Sequence, residues 1–138
     1  MILDDVRSVL VADTTLAGLL TGGLYADVPE ISRQFTPNAF DTNKEIKPCG
    51  LLRGSNEIPN GPYEDGVQLP VNLYLYQHSG FDVMELVEAR VFVLLNRKKI
   101  AVAAVWEFML DSVIYRQWED ALACSMMMAR YICTRRKA

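Results

Sequence analysis

Few residues in this chain are of types that do chemistry, and their spacing assembles no reaction centre. His78 is the only histidine, and Ser79 follows it. A serine and a histidine work as nucleophile and base only when their side chains converge. Neighbours at the end of a strand point to opposite faces. His78 therefore reads as a turn histidine in water. Glu119 and Asp120 are adjacent carboxylates, a pairing that acid–base work uses, but at a turn such a pair is solvated. Cys49, Cys124 and Cys133 are odd in number, widely spaced and form no CxxC pair. They predict neither a disulfide framework nor, with one histidine, a zinc site. Gly18, Gly22 and Gly23 lack the spacing of a phosphate-cradling loop. The bases Arg33, Lys44, Lys47 and Arg53 share residues 27–65 with seven acids, so they make no coherent nucleic-acid patch. No catalytic residue, metal or cofactor is expected, and the chain is not expected to be an enzyme.

The elements that carry these residues follow from hydrophobic period. Ile2, Leu3, Val6, Leu10 and Val11 recur at helical spacing, with Asp4 and Asp5 in the first turn, where the helix dipole favours anions. Asp13 is placed to cap a second short helix holding Leu16, Leu19 and Leu20, which Thr21-Gly22-Gly23 stops. Leu24-Tyr25-Ala26 fits the start of a short strand. Val67, Leu69, Val71, Leu73 and Leu75 alternate with Gln68, Pro70, Asn72, Tyr74 and Tyr76. That period predicts a strand with aliphatics on one face and mixed polar and aromatic residues on the other. Pro70 has no N–H to donate, which points to an edge strand or a bulge.

After a turn at Ser79-Gly80-Phe81-Asp82, a helix is expected with Val83, Leu86, Val87, Val91, Leu94 and Leu95 on one stripe and Arg97-Lys98-Lys99 at its end. Residues 102–109 fit helix or strand. A strand is expected from Phe108 to about Gln117, a turn at Glu119-Asp120, and a last strand over roughly 123–134. Two helical regions and about four strands, not regularly alternating, predict an α+β fold: an antiparallel or mixed sheet with helices on one face. Residues 27–65 read as a long irregular loop with five prolines, in which only 48–55 fits a strand. Long loops in a compact fold are usually functional or disordered, so a partner site is sought there first.

At 138 residues, 51% of them hydrophobic, one domain with a real core is expected. The net charge of −3 is too small to imply a polyanion-binding protein. It is unevenly spread: residues 1–96 hold 13 acids and 6 bases, residues 97–138 hold 4 acids and 8 bases. The basic excess lies in Arg97-Lys98-Lys99 and Arg135-Arg136-Lys137, which serve as solubilising ends of elements or as phosphate contacts. Met1 precedes Asp4 and Asp5 without a basic leader, and no apolar run reaches a membrane span. A soluble protein made in a cytoplasm, with no membrane contact, is the expectation.

The last strand is apolar on both sides. Met126, Met128 and Ile132 point one way; Met127, Ala129 and Tyr131 point the other. A sheet with one covered face carries polar residues at alternate positions. Here one side can pack on helices, and the other requires a second layer or a neighbouring subunit. Methionine suits a subunit surface because it repacks easily. Trp106 and Trp118 are read as core or sheet-covering residues.

The order of parts resembles the tail terminator, or head-to-tail joining, family of long-tailed bacteriophages and phage-like gene transfer particles. Three stretches carry the likeness. The start, from Val6-Arg7-Ser8 to Gly22-Gly23-Leu24-Tyr25, has the family's pair of short helices split at Ala12-Asp13 and closed by glycine. The middle, Leu69 to Leu95, has its strand, turn and helix. The end, from Trp118-Glu119-Asp120 through Arg130-Tyr131, is similar to its closing hairpin. Together they cover most of the chain outside residues 27–65, which are longer and richer in proline than the family pattern.

The resemblance implies a structural virion protein assembled in the host cytoplasm at the tail–neck junction. It would form a ring, usually of six copies, that ends tail-tube growth and offers the head a docking surface. The implied partners are sister copies, the tail tube protein and a head-completion or neck protein, with double-stranded DNA passing through the lumen unbound. A closed ring needs two different matching patches. Met126, Met127, Met128, Tyr131, Tyr74 and Tyr76 are the subunit-interface candidates, and Arg33, Lys44, Lys47 and Arg53 the tube or neck contacts. The alternatives are a head-closure or neck adaptor ring on the capsid side and, in a different class, a small-ligand binding domain.

Overall fold

The computed structural model describes residues 2–54, 57–59, 66–100 and 105–136. Its chain order is helix α1 (Ile2–Val11), helix α2 (Thr14–Leu19), strand β1 (Leu24–Tyr25), a 3-10 turn (Pro37–Ala39), strands β2 (Cys49–Gly54), β3 (Ile58–Pro59) and β4 (Gly66–Gln77), helix α3 (Asp82–Leu95), and strands β5 (Val105–Glu119) and β6 (Cys124–Arg136). The architecture is α+β, as the sequence predicts. Among the described residues the sheet has six strands rather than about four, because β1 and β3 are two-residue strands. Its order is β1-β2-β4-β6-β5, with β3 also paired to β4. The β1–β2 pair is parallel and the others antiparallel, so the sheet is mixed.

The three described helices lie on one face, here called the front. Leu69, Val71, Leu73 and Leu75 of β4 and Met127, Ala129, Tyr131 and Cys133 of β6 meet Val6 and Leu10 of α1, Leu16 of α2, and Met84, Val87, Val91 and Leu95 of α3 in one buried cluster. Full burial of one such aliphatic side chain is worth about 1.5–3 kcal/mol. Of the expected α3 stripe, Val87, Val91 and Leu95 are buried and Val83 and Leu94 pack against the core, but Leu86 is 58% exposed and Met84 takes its place. The helix is apolar on more than one side, so period alone centred the stripe about a sixth of a turn off.

β4 is central, not an edge strand, and Pro70 needs a different reason. β2 pairs with β4 as far as Gly54↔Val71, and β3 resumes the same lane at Ile58↔Gln68. Pro70 falls at the break between them, where it has no ladder partner on that side among the described residues. A residue without an N–H is tolerated at an interrupted ladder.

Local hydrogen bonds set the corners. Asp13 accepts from the Leu16 N–H at 2.9 Å and so caps α2. Gly23, at φ +94°, turns the chain into β1. Gln77 closes the β4–α3 turn: its amide donates to the Ser79 carbonyl and to Asp82, and its carbonyl accepts from the Met84 N–H. These bonds, Gln77 first and the Val83 N–H second, hold the Asp82 carboxyl below its ordinary range. After α3 the chain runs along the outer edge of β5. Arg97 donates to the Phe108 carbonyl, Phe108 donates to the Lys98 carbonyl, and the Asn96 side chain accepts from Leu110. β5 begins at Val105, which fits the strand alternative for residues 105–109. The β5–β6 hairpin is longer than expected at both ends.

Candidate functional site

The back of the sheet is where the two-sided character of β6 has to be accommodated. Register places its residues in rows. Ile114, Met128, Tyr74 and Leu51 form one row across β5, β6, β4 and β2, and Gln117, Met126, Tyr76 and Cys49 the next. Ser112, Arg130, Asn72 and Arg53 form a polar row on the other side, in which Arg130 donates to the Asn72 side chain at 3.0 Å.

A second layer from the chain itself covers part of this face. Ile31, Ala39 and Ile46, with Val28 and Phe40 at the margin, pack on Cys49, Leu51, Tyr74, Tyr76, Cys124 and Met126. The stretch 27–47, expected to be irregular, is therefore ordered around its own small core. Its scaffold is local. Thr36 is buried and donates to the Ser32 carbonyl; Asp41 accepts from Asn43 and Glu45; a Phe40–Ile46 bridge closes the tip. Alternate-residue patterns cannot reveal such a layer, because it is built from turns rather than from a repeat.

This decides where the interface candidates sit. Met127 and Tyr131 are buried under the helices on the front face, and Tyr76 is buried beneath the second layer. Met128 is also covered, whereas Met126 and Tyr74 are half-buried at the margin of that layer. On the neighbouring strand, Met109 at 49% and Ile114 at 43% exposed stay open on this face, and Trp118 at 58%, paired with Ser125, stays open on the other. Nothing in the sequence separated β6, flanked on both sides, from β5, which ends the sheet. The side chain of Trp106 lies outside the described residues.

The four candidate bases are not one cluster. Arg33 donates to the Lys44 carbonyl at 2.9 Å and lies over the Phe40 ring at 5.5 Å, so it braces the second layer. Lys44 is exposed at the tip of its turn with φ +63°, and Lys47 is half-buried, its N–H donating to the Ala39 carbonyl. Arg53 is exposed at the end of β2.

The reactive residue types stay apart. His78 is exposed, 3.9 Å from Glu45 Oε2. Glu119 accepts from the Ala121 N–H and so braces the hairpin turn. Burial, and secondarily the neighbouring thiol of Cys124, pushes the Cys49 thiol up to about 12; burial and then Glu119 push Cys124 up to about 11. Both are inert as thiols at neutral pH. Among the described residues no three His, Cys, Asp or Glu side chains are grouped to hold a metal. A cleft of about 370 Å³ lies between Glu30, Ile31, Leu51, Arg53, Tyr76 and Glu119. Charged, apolar and polar groups line it, Ser32 among them, whose hydroxyl accepts from the Phe35 N–H. No described helix is long and apolar enough to cross a membrane.

One polar pair has no local sequence signal. Arg90 of α3 grips both oxygens of Asp13, at 2.6 and 3.0 Å, across 77 positions. Arg90 and then the Leu16 N–H hold the Asp13 carboxyl down at about 2. The pair clamps α2 against α3.

The two long edges of the protomer differ in charge. On the β5 edge Arg97, Lys98 and Lys99 are exposed, and none is in an ion pair with a described residue. On the β1–β2 edge a cleft of about 490 Å³ is lined by Leu3, Val28, Pro29 and Leu52, with Asp27 and Arg53 at its rim. Asp4 shares a hydrogen bond with Asp27, and this contact, with partial burial, raises the Asp4 carboxyl above its ordinary range.

With this geometry the chain can be set beside solved structures. The fold matches that of a gene transfer agent virion chain. That chain, from a structure described as the virion of a native gene transfer agent (GTA) particle, is 15% identical, and the likeness covers 95% of this chain and 91% of that one at a TM-score of 0.71. At that identity the likeness is one of fold. No family model and no curated protein matches the sequence.

Proposed function

We propose that this protein is a structural component of a phage-like virion, acting as a tail terminator. Sister copies form a ring, six by the family resemblance, at the head-proximal end of the tail tube. The ring stops tube growth and offers its far side to the head, and DNA passes through it. The observation that carries this reading is the likeness of fold to a virion chain over nearly all of both chains. The absence of converging reactive groups among the described residues is consistent with a protein that works by contact.

In this reading the buried members of the candidate set, Met127, Tyr131, Tyr76 and Met128, shape the sheet from within. The subunit contact falls to what remains open beside them: Met126, Tyr74 and the β5 residues Met109, Ile114 and Trp118. Arg53 and Lys44, exposed near the second layer, are the tube or neck contacts, with Arg33 and Lys47 holding that layer in shape. A stable contact of this kind buries on the order of 1,000 Å² or more.

The test is assembly of the particle with and without this chain. Without it, tail tubes are expected to run past their set length and heads to remain unattached. Purified chain is expected to cap one end of tubes grown from the particle's own tube protein, visible as a terminal ring by electron microscopy. Tubes of normal length in its absence, with no binding to tubes, would overturn the reading. Binding to the capsid portal instead of the tube would assign the chain to the head-closure side.

A further inference from the structure

We propose that the β5 edge of one copy docks into the β1–β2 edge of the next, with the Arg97-Lys98-Lys99 rim and Met109 set against the cleft of Leu3, Val28, Pro29 and Leu52 beside Asp4 and Asp27. The proposal rests on the ring reading above and names the surface through which copies join.

Four observations converge on it. The first is position. Gly54, at the cleft, shares a row with Val71, Tyr131 and Leu110, and Leu110 is bonded to Asn96, next to Arg97. The cleft and the basic rim thus stand at the same height along the strands, on opposite edges, about 19 Å apart for four inter-strand steps. A translation across the sheet with a modest rotation brings one against the other, which is a heterologous contact.

The second is charge. Asp27 and Arg53 line the cleft, Asp4 is hydrogen-bonded to Asp27, Glu30 lines the neighbouring cleft that shares Arg53, and Asp5 and Arg7 lie within three residues of Asp4 in sequence. Arg7 is committed to the Leu24 carbonyl at 2.6 Å. The rim edge carries Arg97, Lys98 and Lys99 against Glu107 and Asp111 of β5. Each edge holds an excess of one sign, and the signs are opposite. The crowding of Asp4 on Asp27 is relieved by a cation arriving from outside.

The third is shape. Met109 is a large apolar side chain standing open beside the rim, and Leu3, Val28, Pro29 and Leu52 line the space on the opposite edge. A flexible methionine fills an irregular cleft well.

The fourth is the state of the β5 edge. Residues 96–98 already occupy its hydrogen bonds at Phe108 and Leu110. The strand also shifts register at three places, and Arg116 sits at φ +54°. Strand addition is blocked along such an edge. The contact is therefore made by side chains, which makes it sensitive to their charge.

The experiment is sedimentation of the full chain over a range of protein and salt concentrations. Three chains are compared: wild type, K98E/K99E, and D27K/E30K, with circular dichroism to confirm folding. Both changes are at exposed positions outside helices and strands. Wild type is expected to self-associate, more weakly as salt rises. Each double variant alone is expected to associate about tenfold or more weakly, and their mixture to recover association, because the reversed charges meet each other. Self-association that neither variant weakens would overturn the edge assignment while leaving the ring reading intact. A chain that stays monomeric at high concentration and low salt overturns the edge assignment too; tube capping then decides the ring reading separately. M109S offers a check independent of charge, with loss of association expected and unchanged association counting against the docking.

Discussion

Substituting Ile31 by alanine tests whether residues 27–47 form a separately docked layer on the back of the sheet. Ile31 is 3% exposed and touches the cluster that contains Cys49, Leu51 and Cys124. The change removes three carbons, or about 2.4 kcal/mol at ~0.8 kcal/mol each, before any cavity term. The layer is a short segment resting on one face, so the loss falls first on its local docking. At about 1.4 kcal/mol per factor of ten, the open fraction rises roughly 50-fold. Cysteine reactivity reads this directly. Cys49 and Cys124 lie beneath the layer, whereas Cys133 lies in the front core under the helices. Burial keeps the first two thiols protonated, with values of about 12 and 11, so they label only when opened. In Ile31→Ala, labelling of Cys49 and Cys124 should accelerate roughly 50-fold while Cys133 keeps its wild-type rate, read by peptide mass spectrometry. Equal acceleration at all three thiols would mean that no separable layer exists. No acceleration at any would mean that Ile31 is not what holds it.

Three further outcomes follow from single contacts. Asp13→Asn should lower stability near neutral pH by loosening the Arg90 clamp. Because the folded value of Asp13 is depressed to about 2 from 3.8, its contribution is complete above about pH 4 and is lost as pH falls through 2. Urea melts of both proteins should therefore converge in strong acid, and a gap that stays constant with pH would contradict the ion-pair account. Gly50→Val should cost about 1–3 kcal/mol by overpacking, since even a Cβ there would stand 2.9 Å from Leu24 Cδ1 and 3.3 Å from Leu75 Cδ2; an unchanged urea midpoint would show that β1 can move aside. Phe108→Ala, which empties a fully buried site where β5 meets the end of α3, should cost about 3–5 kcal/mol in the same assay. A loss under 1 kcal/mol there would mean that the site collapses and refills.

How far the sequence could be read depended on the range of the interactions involved. The alternation of Val67 to Leu75 with Gln68 to Tyr76 showed both faces of β4, because a strand's period is local. The same holds for Val6, Leu10 and Leu16 and for the Asp13 cap. α3 was harder. Apolar residues such as Leu86 and Val93 are exposed on its outer side, so its hydrophobic pattern does not single out the 84–87–91–95 stripe. Pro70 pointed to an edge or a bulge because its missing donor was visible while the break in the neighbouring lane was not. The Asp13–Arg90 pair had no signal at all, since nothing local links positions 77 apart.

The chain's own pattern of residues determined the α+β class, the helix pair at the start, the strand over Val67 to Gln77 and the two-faced closing strand, since each follows from periods and caps within a few residues. Tertiary structure alone decided what those faces meet. It brought residues 27–47 over Cys49 and Cys124, hid Met127 and Tyr131 beneath the helices, and left Met109, Ile114 and Trp118 open on the outermost strand. It also carried the acidic start of α1 and the basic end of α3 to opposite edges of one sheet. The physical reason is that burial and charge fields depend on which elements become neighbours in space, and strand order is set by contacts between residues far apart in the chain.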